Sequence, residues 1–498
     1  SEEELIGIIG EYDGLMIRSG TQVTAAVIAA ASRLKIIGRA GVGVDNVDVP
    51  AATQRGVLVV NSPEGNTIAA AEHALAMMLT LSRHIPQAHG GMRAGKWDRK
   101  KYVGNELYKK TLGVVGLGKI GSHVARVAQA MGMEVIAYDP FIAADRAQRM
   151  QVKLLELDEL FRTADYVTLH IPRTKDTENL VNAELLRTMK PTARIVNCAR
   201  GGVVDEAAIA EAINNGVIAG AGLDVYASEP LAEDSPLRAV ERGLVLTPHL
   251  GASTEEAQEN VAIDVAEQIR DVLLGLPARS AVNIPGLSAE IMERLKPHLQ
   301  LAETVGLLVS QLAGGHVKEM ELRLQGEFAS HPSQPLVIAA LKGLLSAGLG
   351  DSINFVNASL EAKARGIQVL EVKDESSRDF AGGSLQITTR GDQGSRSVTG
   401  AVFADGDLRI TSIDAFPVNV TPSSHMLFTR HRDMPGIIGH LGSLLGEHNV
   451  NIASMQVGRK IVRGDAVMVL SIDDPIPADL LQTITAIDGI QEAHPVTL

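Results

Sequence analysis

The chain reads as an α/β protein with two Rossmann- or flavodoxin-like lobes, one inserted in the other. An α+β segment and a ferredoxin-like βαββαβ module follow. Three observations predict this. Thr111–Asp139 reads as strand, glycine turn, helix, strand and acid. A βαβ rhythm flanks that unit from Gly14 to Thr247, with polar residues at the strand ends. Ser424–Leu498 orders its elements strand, helix, strand, strand, helix, strand.

The 498-residue chain has room for three or four domains, and its cores are aliphatic, since aromatics make up only 3%. Lys plus Arg number 46 against 59 Asp plus Glu, a net charge of −13, which argues against nucleic acid and anionic membrane as partners. An anionic ligand therefore needs a local arginine cluster. One cysteine, Cys198, rules out an intrachain disulfide and fits a reducing compartment, the cytoplasm or an organelle after processing. No apolar run approaches membrane-spanning length. The chain starts at Ser1 without Met, so a removed leader or a truncation is open.

In order, Ser1–Glu4 has the form of a capping box, and Gly14–Ile17 is a strand ending at Arg18-Ser19. Thr24–Arg33 is a helix. Leu34–Gly38 is a strand ending at Arg39, and Val57–Val60 one ending at Asn61-Ser62. Thr67–Arg83 is a long helix. Leu112–Val115 is a buried strand running into Gly116-Leu117-Gly118-Lys119-Ile120-Gly121. Gly116 serves the tight turn, Gly118 the approach of a pyrophosphate, and Gly121 close helix packing. The following helix presents its N-terminus to the phosphates, with Val124, Val127, Ala128 and Met131 on its apolar face. Asp139, ending the strand Val135–Tyr138, suits the two ribose hydroxyls and repels a 2′-phosphate, so NAD is expected over NADP.

Later strands, Tyr166–His170, Arg194–Asn197, Ala219–Asp224 and Leu244–Thr247, end in distinctive polar groups. Arg200 offers a planar fork to a carboxylate. His249 can be a general acid/base, with Glu229 supporting its protonated form. Each has a structural alternative alone; together, at successive strand ends, they read as a catalytic set. Arg18 and Arg39, with Ser62 and Asn66 as further donors, read either as an anion subsite or as solvated loop arginines. Cys198 reads as a small buried residue rather than a reactive thiol. His73, His123 and His170 lack metal-ligand spacing with other candidates, and no metal is expected. Trp97 reads as a contact or packing residue.

A helix from Thr254 to about Leu274 ends at Gly275-Leu276-Pro277. Beyond it, helices Glu290–Leu312 and Pro335–Ala347 and strands Gln386–Thr389 and Leu408–Ile413 are expected, punctuated by Gly382-Gly383. The expected domains are 1–64 with 255–285, 65–254, 286–422 and 423–498.

Over about Glu11–Pro285 the GLGKIG turn with Asp139, NCARGG, LDVYASEP and TPHLGASTEEA resemble the D-isomer-specific 2-hydroxyacid dehydrogenases. The resemblance implies Arg200, Glu229 and His249 as catalytic residues. It implies NAD contacts at Lys119, Ile120, Asp139, Cys198, Ala199, Arg200, Asp224, His249, Leu250, Gly251 and Ala252. IRSGTQV, GRAGVGVDNVD and NSPEGNTIAAAEH resemble the branch that oxidises 3-phosphoglycerate in serine synthesis. That implies Arg18, Ser19, Arg39 and Asn66, with Arg200 and His249, around a phosphorylated 2-hydroxy acid, and closure of the two lobes over it. A glyoxylate or hydroxypyruvate reductase and an NAD-sensing scaffold are the rival readings. The family's long form adds an intervening domain and a C-terminal ACT domain, here with L-serine contacts at His431, Asp433 and Asn451. Asp433 stands where serine-sensitive bacterial relatives carry Asn. A homodimer or homotetramer is expected. Family members begin with a strand and helix ahead of SEEEL, so the first lobe is expected to lack its opening strand.

Overall fold

The computed structural model describes residues 1–284, 289–375, 383–403 and 406–498. Gly382 and the boundary expected at 285/286 lie outside them. The chain forms two compact units, one of residues 1–38, 44–60 and 268–498, the other of residues 39–43 and 61–267.

The second unit is built on β4 (Thr111–Val115), β5 (Glu134–Tyr138), β6 (Lys153–Leu154), β7 (Tyr166–Leu169), β8 (Arg194–Asn197), β9 (Gly220–Leu223) and β10 (Leu244–Leu246). They form one sheet in the order β10-β9-β8-β7-β4-β5-β6, and every pairing is parallel. β7, β8 and β9 are buried along their whole length, as expected of strands covered on both faces. The chain leaves β4 toward β5 and β6 on one side, then returns to β7 on the other. That reversal is where open α/β sheets bind ligands.

The helix after β4, Lys119–Ala130, buries Gly121, Val124, Ala125 and Ala128, while Val127 and Met131 are partly buried at its flank. The Thr67–Arg83 helix buries Ala71, Ala74, Leu75, Met77, Met78 and Leu81 in the same core.

In the first unit, β1 (Gly14–Ile17), β2 (Ile36–Arg39) and β3 (Leu58–Asn61) pair in chain order. The capping box at Ser1 forms, its Oγ accepting from the Glu4 N–H at 3.2 Å. The intervening segment departs from expectation. Where two strands were expected there are six: β11 (Val317–Gln325), β12 (Gln368–Asp374), β13 (Ser384–Gly391), β14 (Gly394–Val402), β15 (Leu408–Ile413) and β16 (Phe416–Val420). Their order is β12-β11-β13-β14-β15-β16, with only β11–β12 parallel. β12 is an edge strand whose first four residues are exposed, and β14 is rich in Gly and Ser, so neither carries an apolar run.

The Ala289–Ala313 and Ser333–Leu349 helices cross closely. A Cβ on Gly343 would lie 2.0 Å from the Glu303 carbonyl oxygen. The final module has the expected order: β17 (His425–Arg432), helix Ile437–Glu447, β18 (Ile452–Arg459), β19 (Asp465–Ile472), helix Ala478–Thr485 and β20 (Ile490–Thr497). Its antiparallel sheet runs β18-β19-β17-β20 around Leu427, Leu441, Leu445, Leu470 and Leu480. Arg396 of β14 ties the two modules together by bonding both Asp414 and Glu492.

Candidate active site

The glycine turn has the geometry a pyrophosphate needs. Gly116 has φ +94°, a conformation L side chains rarely adopt. A Cβ on Gly121 would lie 2.0 Å from the Gly116 carbonyl oxygen, so any side chain there would separate turn and helix. Gly118 opens the helix and has no atom within 4 Å of where a Cβ would stand. Asp139 is fixed by backbone donors: Leu117 N–H reaches Oδ2 at 2.8 Å, and Phe141 and Ile142 N–H reach Oδ1 at 2.9 and 3.1 Å. Oδ2 retains acceptor capacity for a ribose hydroxyl. Lys119 pairs with Glu64. These residues fit a dinucleotide.

Three later loops converge. After β8, buried Asn197 holds its loop from both sides: Oδ1 accepts from Ala199 N–H and Nδ2 donates to the Arg200 carbonyl oxygen, both at 3.0 Å. Arg200 Nη1 donates to the Ala199 carbonyl oxygen at 2.7 Å. A Cβ on Gly201 would lie 1.7 Å from the Tyr226 carbonyl oxygen, so this glycine lets the Arg200 loop press on the loop carrying Glu229. Tyr226 joins the strand ends by donating its hydroxyl to the carbonyl oxygens of Leu223 and Thr247, at 3.1 and 2.9 Å.

Glu229 Oε1 accepts from Tyr226 N–H at 3.1 Å, and its Oε2 lies 2.7 Å from His249 Nδ1. Both side chains remain partly exposed, His249 at 49% and Glu229 at 38%. With Nδ1 engaged, His249 Nε2 is the nitrogen left for a ligand. His249 itself sits at φ +55°. Its N–H is held by the carbonyl oxygens of Asp224 and Thr247, at 2.8 and 3.0 Å.

Asp224 is fully buried and was read from the sequence only as a cofactor contact; in the structure it is the hub of the site. Oδ1 accepts from Leu250 N–H at 2.8 Å and from the Thr247 hydroxyl at 2.6 Å, while Oδ2 accepts from Gly251 N–H at 2.8 Å. His73 Nε2 lies 3.1 Å from Oδ1. Burial pushes the carboxyl pKa up, but the bonds from His73, Thr247 and Leu250 outweigh it and hold it below the usual carboxylate range. Burial and the adjacent Asp224 push the Cys198 thiol up, so it is an unreactive neutral group. The ligand atoms of His73, Cys198 and Asp224 all lie within 4.8 Å of one another. Asp224 receives four donors in all, and His73 is one of them.

Arg39 and Asn66 belong to the same unit as Arg200, Glu229 and His249; Arg18 and Ser19 belong to the other. Gly41 makes room for Arg39, since a Cβ there would stand 1.5 Å from Nη1, which donates to the Ala40 carbonyl oxygen at 3.1 Å. Ser62 Oγ and Asn66 Oδ1 are buried polar atoms without a hydrogen-bond partner among the described residues, as expected of groups that meet a ligand. Arg18 is exposed, and its side chain makes no ion pair among the described residues. In the final module His431 is buried beside Thr429. Asp433 accepts from Arg459 and from Arg463 N–H, both at 3.0 Å, and Asn451 donates to Asp473 at 2.7 Å.

His170, at the C-terminal end of β7 and 3.0 Å from the Thr168 hydroxyl, is pushed down to about 4 by desolvation. The unfolded chain therefore binds a proton near pH 6.5 that the folded unit refuses until about pH 4. Stability is expected to fall by up to about 3 kcal/mol as pH drops through that window, with no further loss from this group below it. Urea unfolding of wild type and His170→Gln across the window checks this; the variant should lose that part of the slope.

A glycine turn at a helix start, an acid fixed at the end of the next strand and a convergent Arg–Glu–His set are the marks of an NAD-dependent dehydrogenase of small hydroxy acids. Residues 75–251 match the D-isomer specific 2-hydroxyacid dehydrogenase NAD binding domain. Residues 294–414 match the D-3-phosphoglycerate dehydrogenase intervening domain, and 425–489 the ACT domain. The D-3-phosphoglycerate dehydrogenase of Synechocystis is 63% identical over the whole of this chain and 90% of its own length. That of Archaeoglobus fulgidus is 44% identical over the whole chain and 94% of its own length. The chain belongs to the D-3-phosphoglycerate dehydrogenase family. Among solved structures, D-lactate dehydrogenase from Aquifex aeolicus, complexed with NAD and lactic acid, is 29% identical with a TM-score of 0.50. It covers 55% of this chain and 86% of its own. A Thermus thermophilus protein aligns at 36% identity and TM-score 0.53 over 56% of this chain and 89% of its own.

Among the described residues no helix is long and apolar enough to cross a membrane.

Proposed function

We propose that this chain oxidises 3-phospho-D-glycerate to 3-phosphohydroxypyruvate, the step that opens phosphorylated L-serine synthesis. The observation that carries the chemistry is the 2.7 Å pair between Glu229 Oε2 and His249 Nδ1. With that nitrogen held, Nε2 takes the proton of the C2 hydroxyl, and the Glu229 carboxylate stabilises the imidazolium that results. The glycine turn and Asp139 would hold NAD, which would supply the acceptor for the C2 hydride. Arg200 holds the substrate carboxylate and polarises the forming carbonyl. Arg39 and Asn66, in the unit that carries the Arg–Glu–His set, bind the phosphate. A glyoxylate or hydroxypyruvate reductase would need no such phosphate contacts, and the match of residues 294–414 to the D-3-phosphoglycerate dehydrogenase intervening domain favours the phosphorylated substrate. NADH formation from 3-phospho-D-glycerate by the purified protein tests this; no turnover with NAD would refute it.

The ACT module fits regulation by an amino acid, with L-serine as the effector and His431, Asp433 and Asn451 as its contacts in a homodimer or homotetramer. Calorimetric titration is expected to give saturable heat at millimolar L-serine that Asn451→Ala removes. Absence of heat from the wild type would sink the effector reading.

A further inference from the structure

We infer that His73 is a positioning residue for the nicotinamide end of the cofactor, acting through Asp224. The inference rests on the dehydrogenase reading above. His73 lies on the Thr67–Arg83 helix, far in sequence from every loop that carries the catalytic set, and its Nε2 meets Asp224 Oδ1 at 3.1 Å and the Thr247 hydroxyl at 3.2 Å.

The distribution of donors around the carboxylate is unequal. Oδ1 receives three: Thr247 hydroxyl, Leu250 N–H and His73. Oδ2 receives one, Gly251 N–H. A carboxylate oxygen offers about two good lone-pair directions, so Oδ1 is saturated and the remaining acceptor capacity lies on Oδ2. A side chain at residue 251 would stand 3.2 Å from that oxygen, and the glycine leaves the space open. Nicotinamide carries a carboxamide whose N–H groups need an acceptor in a buried site.

His73 therefore does two things that Thr247 and Leu250 alone do not. It is a further donor to Oδ1, from a helix outside these loops, and it also lies against the Thr247 hydroxyl, so it braces the Thr247–Asp224 bond from the side. It also places a donor beside a fully buried carboxylate, favouring the ionised form that accepts from an amide. Because the Asp224 carboxylate also accepts from the N–H groups of Leu250 and Gly251, the same contact steadies the segment next to His249.

The test compares NADH, which has the nicotinamide, with ADP-ribose, which lacks it. Dissociation constants for both are measured by calorimetry on wild type, His73→Ala and His73→Gln, with melting curves confirming that each variant is folded. His73→Ala is expected to weaken NADH about tenfold, the loss of one charge-assisted hydrogen bond. It should leave ADP-ribose within about twofold of wild type. Gln, whose amide can reach as Nε2 does, should restore most of the NADH affinity. Equal weakening of both ligands, no weakening of either, or failure of Gln to rescue in a folded variant would overturn the role. Wild type that binds neither ligand would instead overturn the dehydrogenase reading itself.

Discussion

Replacement of His249 by asparagine should lower kcat by about 10²–10⁴-fold, the usual contribution of a positioned general base. Asparagine is the informative substitution because residue 249 has φ +55°, which Asn tolerates better than Ala. The loop itself should survive, since its N–H groups are held by Asp224 and Thr247 rather than by the imidazole. Steady-state kinetics with a parallel NADH titration separates the two effects: turnover collapses and cofactor binding persists. Loss of both together would mean that the histidine holds the loop rather than moving the proton.

The second large effect falls on Arg200. Its fork is expected to make paired charge-assisted bonds to the substrate carboxylate, so Arg200→Ala should lower kcat/KM by about 10²–10³-fold. Arg200→Lys should recover little, because an ammonium is a point charge without the planar geometry. Part of the Arg200 fork already bonds the Ala199 carbonyl oxygen, which sets its orientation before substrate arrives. Equal activity of the Lys variant and wild type would show that only charge matters there.

Much of this was legible from residue order alone. Gly116, Gly118, Gly121 and Asp139 have a fixed spacing because the turn, the phosphate approach and the ribose contact are local to one βαβ unit. Arg200, Glu229 and His249 stand out in the sequence because each lies in the loop after a strand, and parallel strands bring their C-terminal ends to one edge. What stayed hidden depends on contacts distant in sequence. Gly201 lets the Arg200 loop touch Tyr226, a contact that the segment alone does not announce. His73 sat in a helix with no metal-ligand spacing, and only the fold brings it to Asp224.

In the intervening segment the apolar-run signal fails for a different reason. The edge strand β12 and the Gly/Ser-rich β14 are fixed by their neighbours in the sheet rather than by their own hydrophobicity. The lesson is narrower for Arg39 and Asn66. Sequence left Arg39 balanced between subsite and surface. The structure adds a glycine that makes room for its guanidinium, and buried oxygens on Ser62 and Asn66 that have no partner among the described residues.

Arg39 and Asn66 should make a general hydroxy-acid dehydrogenase site selective for a phosphorylated substrate. The most direct measurement is the rate of NADH formation from 3-phospho-D-glycerate and from D-glycerate, in wild type and in Arg39→Ala. Wild type should strongly prefer the phosphorylated acid. In the variant its KM should rise by about 10–10²-fold with little change in kcat, as loss of one charge-assisted phosphate contact requires. A wild type that turns over D-glycerate as efficiently as its phosphate ester, or a variant with unchanged KM for the ester, would contradict it.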